Sequence, residues 1–308
     1  MYTSILVPYD GSVHSARALP VAAALAARTG ASVQLAIVHD PSAYIPFVPG
    51  EVAIPVYDQE LVQAHRDRDR QVLDVAVAHL TQQGVKASGV LLDGTIVEAL
   101  EEHLVAAGAD LVLMTTHGRS GFARLRLGSV ASEFLTRATV PVLLVRGAGS
   151  EHPDGDQPLP SGTLLCTLDG SEFAEAVLPH ARTFAEATGM RMHLVAVTVP
   201  HAISMAPFGT EALLADDSAL SAEEHVREEY LQRIATTCPP GTTVRAITDM
   251  SVPRGILDAA EDAACGGIAI ATHGRGGFKR LVLGSVADEV LRHAHQPVLV
   301  YRPSPHAS

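Results

Sequence analysis

The sequence has no tryptophan, and aromatic residues make up only 4% of its 308 positions. An apolar core must therefore be built from alanine, valine and leucine, and the hydrophobic content of 47% is that of an ordinary globular chain. Cysteine is scarce as well. Cys166, Cys238 and Cys265 all fall in the second half, with neither CxxC spacing nor a paired framework. That pattern excludes a disulfide scaffold and fits reduced structural thiols in a cytoplasmic protein. No apolar stretch reaches the ~18 residues of a membrane span. The start, Met1-Tyr2-Thr3-Ser4-Ile5-Leu6-Val7-Pro8, lacks the charged head and long apolar run of a signal peptide. No membrane partner is expected. Lys and Arg number 22 against 34 Asp and Glu, a net charge of −12, which argues against nucleic acid as a partner. A phosphate-bearing ligand is not excluded, because backbone N–H groups bind anions without net positive charge. The 15 histidines form no HExxH or similar ligand spacing. No paired nucleophile and base can be named.

What the sequence does hold is one stretch that occurs twice. His117-Gly118-Arg119-Ser120-Gly121-Phe122-Ala123-Arg124-Leu125-Arg126-Leu127-Gly128-Ser129-Val130 follows the apolar run Leu111-Val112-Leu113-Met114. His273-Gly274-Arg275-Gly276-Gly277-Phe278-Lys279-Arg280-Leu281-Val282-Leu283-Gly284-Ser285-Val286 follows Ile268-Ala269-Ile270. Each leads from a buried strand into a helical pattern. A glycine-bearing loop thus ends at a helix N-terminus, where free N–H groups and a partial positive charge suit phosphate. The repetition predicts two domains, 1–147 and 162–308, joined by a Gly-, Pro- and Asp-rich linker over 148–161.

Strands are expected over 5–7, 33–38, 85–92, 110–116 and 140–146, and again over 163–168, 191–197, 243–248, 268–270 and 297–302. Helices alternate with them. The first runs from the N-cap Ser12 to about 29, and Asp169-Gly170-Ser171 repeats the Asp10-Gly11-Ser12 turn that opens it. The next covers 58–83, and its mixed-charge segment, residues 65–70, reads as a solvated face. The long loops over 40–57 and 201–217 are expected to be mobile and close to the ligand. This alternation predicts an α/β protein of two tandem five-stranded parallel-sheet domains with helices on both faces. Ligands bind such sheets at the carboxyl ends of the strands, at the switch point in strand order.

Several of these segments resemble the universal stress protein family in its tandem form. They are Val7-Pro8-Tyr9-Asp10-Gly11-Ser12, Thr116-His117-Gly118 through Gly128-Ser129-Val130-Ala131, and Pro141-Val142-Leu143-Leu144-Val145. Their counterparts are Leu168-Asp169-Gly170-Ser171, Thr272-His273-Gly274 through Gly284-Ser285-Val286-Ala287, and Pro297-Val298-Leu299-Val300. The resemblance implies a Rossmann-like fold of the adenine nucleotide alpha hydrolase type. It implies ATP with Mg²⁺, or AMP or ADP, as ligand. The family's ATP-binding branch carries glycine, two residues, glycine, nine residues, then glycine and Ser or Thr. Gly118 and Gly128, and Gly274 and Gly284, match its second and third glycines. Thr115 and Ala271 stand at the first, beside the ribose, where Ala271 leaves more room. Ser129, Val130, Ser285 and Val286 complete the phosphate end. Asp10 and Asp169 fall at the acidic position that contacts adenine, with Pro8 before it in the first half and Thr167 in the second. Val38 and Val197 fall where backbone touches adenine.

Family members dimerise through strand five, so the two halves are expected to pack as a pseudo-two-fold pair through 142–145 and 298–301, with a homodimer left open. The implied function is a regulatory, adenine-nucleotide-binding stress protein. A nucleotide-free interaction module on the same fold is the alternative, and a slow ATP hydrolase a further one. ATP pyrophosphatases share the sheet but carry a longer Ser-Gly-Gly-x-Asp-Ser loop, where this chain has only Tyr9-Asp10-Gly11-Ser12.

Overall fold

The computed structural model describes residues 1–40, 59–116, 127–146, 159–200, 217–272 and 283–303. Most of both long loops and of the linker lie outside these residues. So do His117, Gly118, His273 and Gly274 with the rest of their glycine loops.

The first half runs β1 (Ser4–Pro8), α1 (Val13–Ala16), α2 (Ala18–Thr29), β2 (Ser32–His39), α3 (Gln59–Gln82), β3 (Ala87–Asp93), α4 (Ile96–Ala107), β4 (Leu111–Thr115), α5 (Ser129–Leu135) and β5 (Val142–Val145). The second half repeats it: β6 (Thr163–Thr167), α6 (Glu172–Glu175), α7 (Leu178–Thr188), β7 (Arg191–Thr198), α8 (Asp217–Ala235), β8 (Thr243–Thr248), α9 (Val252–Asp262), β9 (Gly267–Ala271), α10 (Ser285–His293) and β10 (Val298–Tyr301).

The single first helix expected in each half is broken into two. Pro20 lies four residues after Ala16, the last residue of α1, and Pro179 lies four after Glu175, the last of α6. Proline offers no N–H to those carbonyls and its ring crowds them, so the helix restarts instead of continuing. The restarted helices end at Gly30 and Gly189, both left-handed.

Within each half all strands are parallel, in the order β3-β2-β1-β4-β5 and its repeat β8-β7-β6-β9-β10. The halves then join. β5 and β10 pair antiparallel, with Leu143 opposite Leu299, and a ten-stranded sheet results. The expected strand-five pairing is thus made inside one chain. A homodimer would need some other face. Pro141 stands just before β5, where its missing N–H breaks no ladder although both sides of the strand are paired.

Alternate residues of the strands feed two cores, one on each face. Ile5, Val7, Leu143 and Leu299 enter one, and Leu6, Val142, Leu144 and Val300 the other. Both clusters draw on both halves, so each core is continuous through the junction. On one face the alanine-rich α2 meets α7, and the Arg28 guanidinium donates to the Thr188 carbonyl. Among the described residues the fully buried aromatic side chains are Phe134 and Phe184, and leucine, valine and alanine supply most of the rest.

Three histidines are expected to make the fold sensitive to mild acid. His180 lies against the Tyr301 ring, with centroids 3.9 Å apart. His103 Nε2 pairs with Gln34 Oε1 at 2.7 Å, and His193 Nδ1 with Thr243 Oγ1 at 2.7 Å. Burial lowers the pKa of all three, helped at His193 by the Arg245 charge. The unfolded chain therefore binds more protons, and stability rises with pH in this window. Their contribution is complete above the unfolded value of about 6.5 and is lost as pH falls below it. The urea midpoint is expected to drop between about pH 7 and pH 5, above the main carboxylate range. His180→Gln and His103→Gln should each flatten that drop.

Candidate functional site

The Asp-Gly-Ser turn is built the same way in both halves. Asp10 Oδ1 accepts from the Ser12 N–H at 2.9 Å, and Ser12 Oγ accepts from the Ser15 N–H at 3.1 Å. Asp169 Oδ1 accepts from the Ser171 N–H at 2.9 Å, and Ser171 Oγ from the Ala174 N–H at 3.1 Å. The serines are thus the helix caps, and the aspartates shape the turn before them. The glycine between has φ of 74° at Gly11 and 90° at Gly170, a left-handed backbone that other residues rarely adopt. As a result each aspartate stands at the carboxyl end of its central strand.

There the strand order switches between β1 and β4, and a cavity of about 320 Å³ opens. The first-half residues singled out from the sequence converge on it: Pro8 from β1, Asp10 from the turn after it, Val38 from β2, Thr115 from β4, and Gly128, Ser129 and Val130 at the start of α5. The ends of the glycine loop are tied, since Gly128 N–H donates to the Thr116 carbonyl at 2.7 Å. Thr116 N–H in turn donates to the Val145 carbonyl at 3.1 Å, which anchors the loop to the sheet. Tyr9 also lines the cavity. Burial, and then the Asp10 carboxylate, push its phenol pKa up, so it remains a neutral hydroxyl.

The second cavity, about 230 Å³, is lined by Thr167, Asp169, Val197, Ala271, Gly284, Ser285 and Val286. Ala271 is the smaller residue at the position that Thr115 holds in the first half. The cavity is nevertheless the smaller, and its lining has Val195 where the first has Ala36, with Phe173 added. Thr272 is 1% exposed, and its hydroxyl meets no hydrogen-bond partner among the described residues. A buried hydroxyl without a partner is costly, and a bound polar group in this cavity would relieve it.

Asp69 is the residue that sequence reasoning missed. The charged segment 65–70 was expected to be solvated, and Asp67, Arg68 and Arg70 are exposed. Asp69 is buried at 7% exposure and lines the first cavity. His39, at 2% exposure, places Nδ1 3.0 Å from Asp69 Oδ2. The signal was helical phase. Leu73, Ala76 and Leu80, the buried residues of α3, follow Asp69 by four, seven and eleven positions and put it on their face. Among the described residues no group of three or more His, Cys, Asp or Glu is arranged to hold a metal ion. Nor is any described helix long and apolar enough to cross a membrane.

The chain is similar to known proteins. The model of the universal stress protein family matches residues 1–146 and again 161–302. A universal stress protein of Mycobacterium tuberculosis is 30% identical over 307 residues, covering 97% of each chain. Another, from Thermus aquaticus, is 38% identical over 147 residues, which is 47% of this chain and all of that one. Among solved structures, a universal stress protein of Archaeoglobus fulgidus superposes with a TM-score of 0.69 over 98% of both chains, at 19% identity. That likeness carries the fold alone, and the full-length sequence match carries the kinship. With the switch-point cavity and its flanking motifs present in both halves, the chain belongs to the universal stress protein family, as a tandem member with two family domains in one sheet.

Proposed function

We propose that each half binds one adenine nucleotide and that the protein acts as a regulatory component of a stress response. The observation that carries this reading is convergence. In both halves the aspartate turn, the end of strand two and the Gly-Ser start of the helix after strand four close on one cavity. In this reading the base lies toward Asp10 and Val38, or Asp169 and Val197. The phosphates, with the Mg²⁺ they carry, lie toward Gly128-Ser129 or Gly284-Ser285, and toward Gly118 and Gly274 in the loops between. The first cavity is within the usual range for small-molecule sites, about 300–1,000 Å³, and the second lies just below it. Binding would favour one arrangement of the glycine loops and so change the surface shown to a partner protein, in the cytoplasm.

Thr115 supports a second reading, a nucleotide-free interaction module. Its β-branched side chain is buried and lines the cavity where the nucleotide-binding pattern has glycine. Calorimetry with ATP and Mg²⁺ on ligand-stripped protein separates the two readings. Two binding events per chain are expected. No heat at about millimolar nucleotide, the weak end of ordinary affinities, would leave the interaction module as the function.

A further inference from the structure

We propose that Asp69 selects the base in the first half, accepting a hydrogen bond from the exocyclic amino group of a 6-aminopurine and rejecting a 6-oxopurine. This rests on the nucleotide reading and deepens it for one of the two sites.

Asp69 is the only carboxylate of α3 that the structure describes as buried. Burying a carboxylate is costly unless it is hydrogen-bonded. His39 supplies one bond, to Oδ2. An ionised carboxylate offers about four acceptor positions and no donor, so acceptor capacity remains on a group that lines the cavity. Its place is also informative. Asp69 and His39 meet at the carboxyl end of β2, beside Val38 and Asp40, whereas Gly128 and Ser129 follow β4 on the far side of β1. Two carboxylates at the β2 side repel phosphate and orient a nucleotide with its base toward them. A 6-amino group there donates to Asp69. A 6-oxo group sets a carbonyl oxygen against a carboxylate, with no proton between.

The second half lacks this device. Asp69 reaches the first cavity from α3, whereas among the described residues none of those lining the second cavity comes from α8. Arg227 Nη1 donates to the Asp169 carbonyl at 2.8 Å. Thr198, at the end of β7, takes the place of His39 at the end of β2. Selection through a carboxylate of this helix is therefore expected at the first site alone.

The test is calorimetry on the full chain with ATP and with inosine triphosphate, which differs at the 6-position by carrying oxygen for the amino group. Gly284→Glu protein reports the first site, and Gly128→Glu protein the second. The first site is expected to favour ATP by about tenfold or more, the effect of one hydrogen bond to a charged acceptor. Asp69→Asn keeps an oxygen for His39 and turns an amide N–H₂ toward the cavity, so it should bring the two nucleotides to parity or invert them. The second-site ratio should not change with that substitution. Equal binding of both nucleotides by the first site overturns the proposal without any further variant, as does an ATP preference that survives Asp69→Asn in folded protein. In both cases the nucleotide reading stands. If neither nucleotide binds the unsubstituted chain, that reading fails and this inference with it.

Discussion

In calorimetry with ATP and Mg²⁺, Gly128→Glu and Gly284→Glu should each reduce two binding events to one, and the double variant should show none. Gly128 and Gly284 are the residues just before α5 and α10, at the cavity ends assigned to phosphate. A glutamate there sets a carboxylate against the ligand's own negative charge and fills the space beside the first-turn N–H groups. Loss of the phosphate contacts should weaken the affected site by at least about a hundredfold, since each charge-assisted bond contributes ~1.5–3 kcal/mol. The variants should fold. Gly128 has φ of −59° and ψ of 151°, and Gly284 −51° and 146°, which other residues adopt freely. Circular dichroism and melting temperature should therefore match the parent protein. Normal binding by both variants would show that the phosphates lie elsewhere and would remove the main support for the proposed function.

A single carboxylate at the junction should unfold both halves together. Leu143 and Leu299 face each other across the antiparallel pair, and both are 0% exposed. Shortening such a leucine to alanine costs about 2–5 kcal/mol, and Leu143→Asp adds a buried charge with no opposite partner. Against a typical total of about 5–15 kcal/mol, that is a large fraction. The melting temperature should fall by at least about 10 °C. Because both cores run through the junction, the loss should not be confined to the first half. Hydrogen exchange should show β6, β7 and β9 losing protection with β1, β2 and β4. If the second half keeps its protection, the halves are independent folding units and the shared sheet is incidental to stability.

The sequence made the alternation of strands and helices legible because each buried parallel strand is a short apolar run bounded by glycine, proline or a capping serine. It made the cavity legible for a related reason. Asp10, Gly11, Ser12, Gly128 and Ser129 are constrained by turn and cap chemistry, which leaves local marks. Asp69 was not legible in the same way. Its neighbours Arg68 and Arg70 are exposed, and the mixed charges of the segment outweighed the helical phase that ties Asp69 to Leu73. The meeting of the two halves was expected from the resemblance to a family that dimerises through strand five. The register that sets Leu143 opposite Leu299 was not, since four apolar residues in a row look alike to a partner strand. The helix break at Arg17 had a visible cause in Pro20, but the pattern of apolar residues continues through it.

The antiparallel joint of β5 and β10 also has a consequence for inheritance. In a homodimer one gene segment writes both sites, and every substitution strikes them twice. Here each site is written by its own stretch of the gene, while the shared sheet holds the two copies in register. One copy can drift while the other keeps its task. Asp69, lining the first cavity from its helix, and Arg227, bonded to the Asp169 turn in the second half, are what such freedom leaves behind.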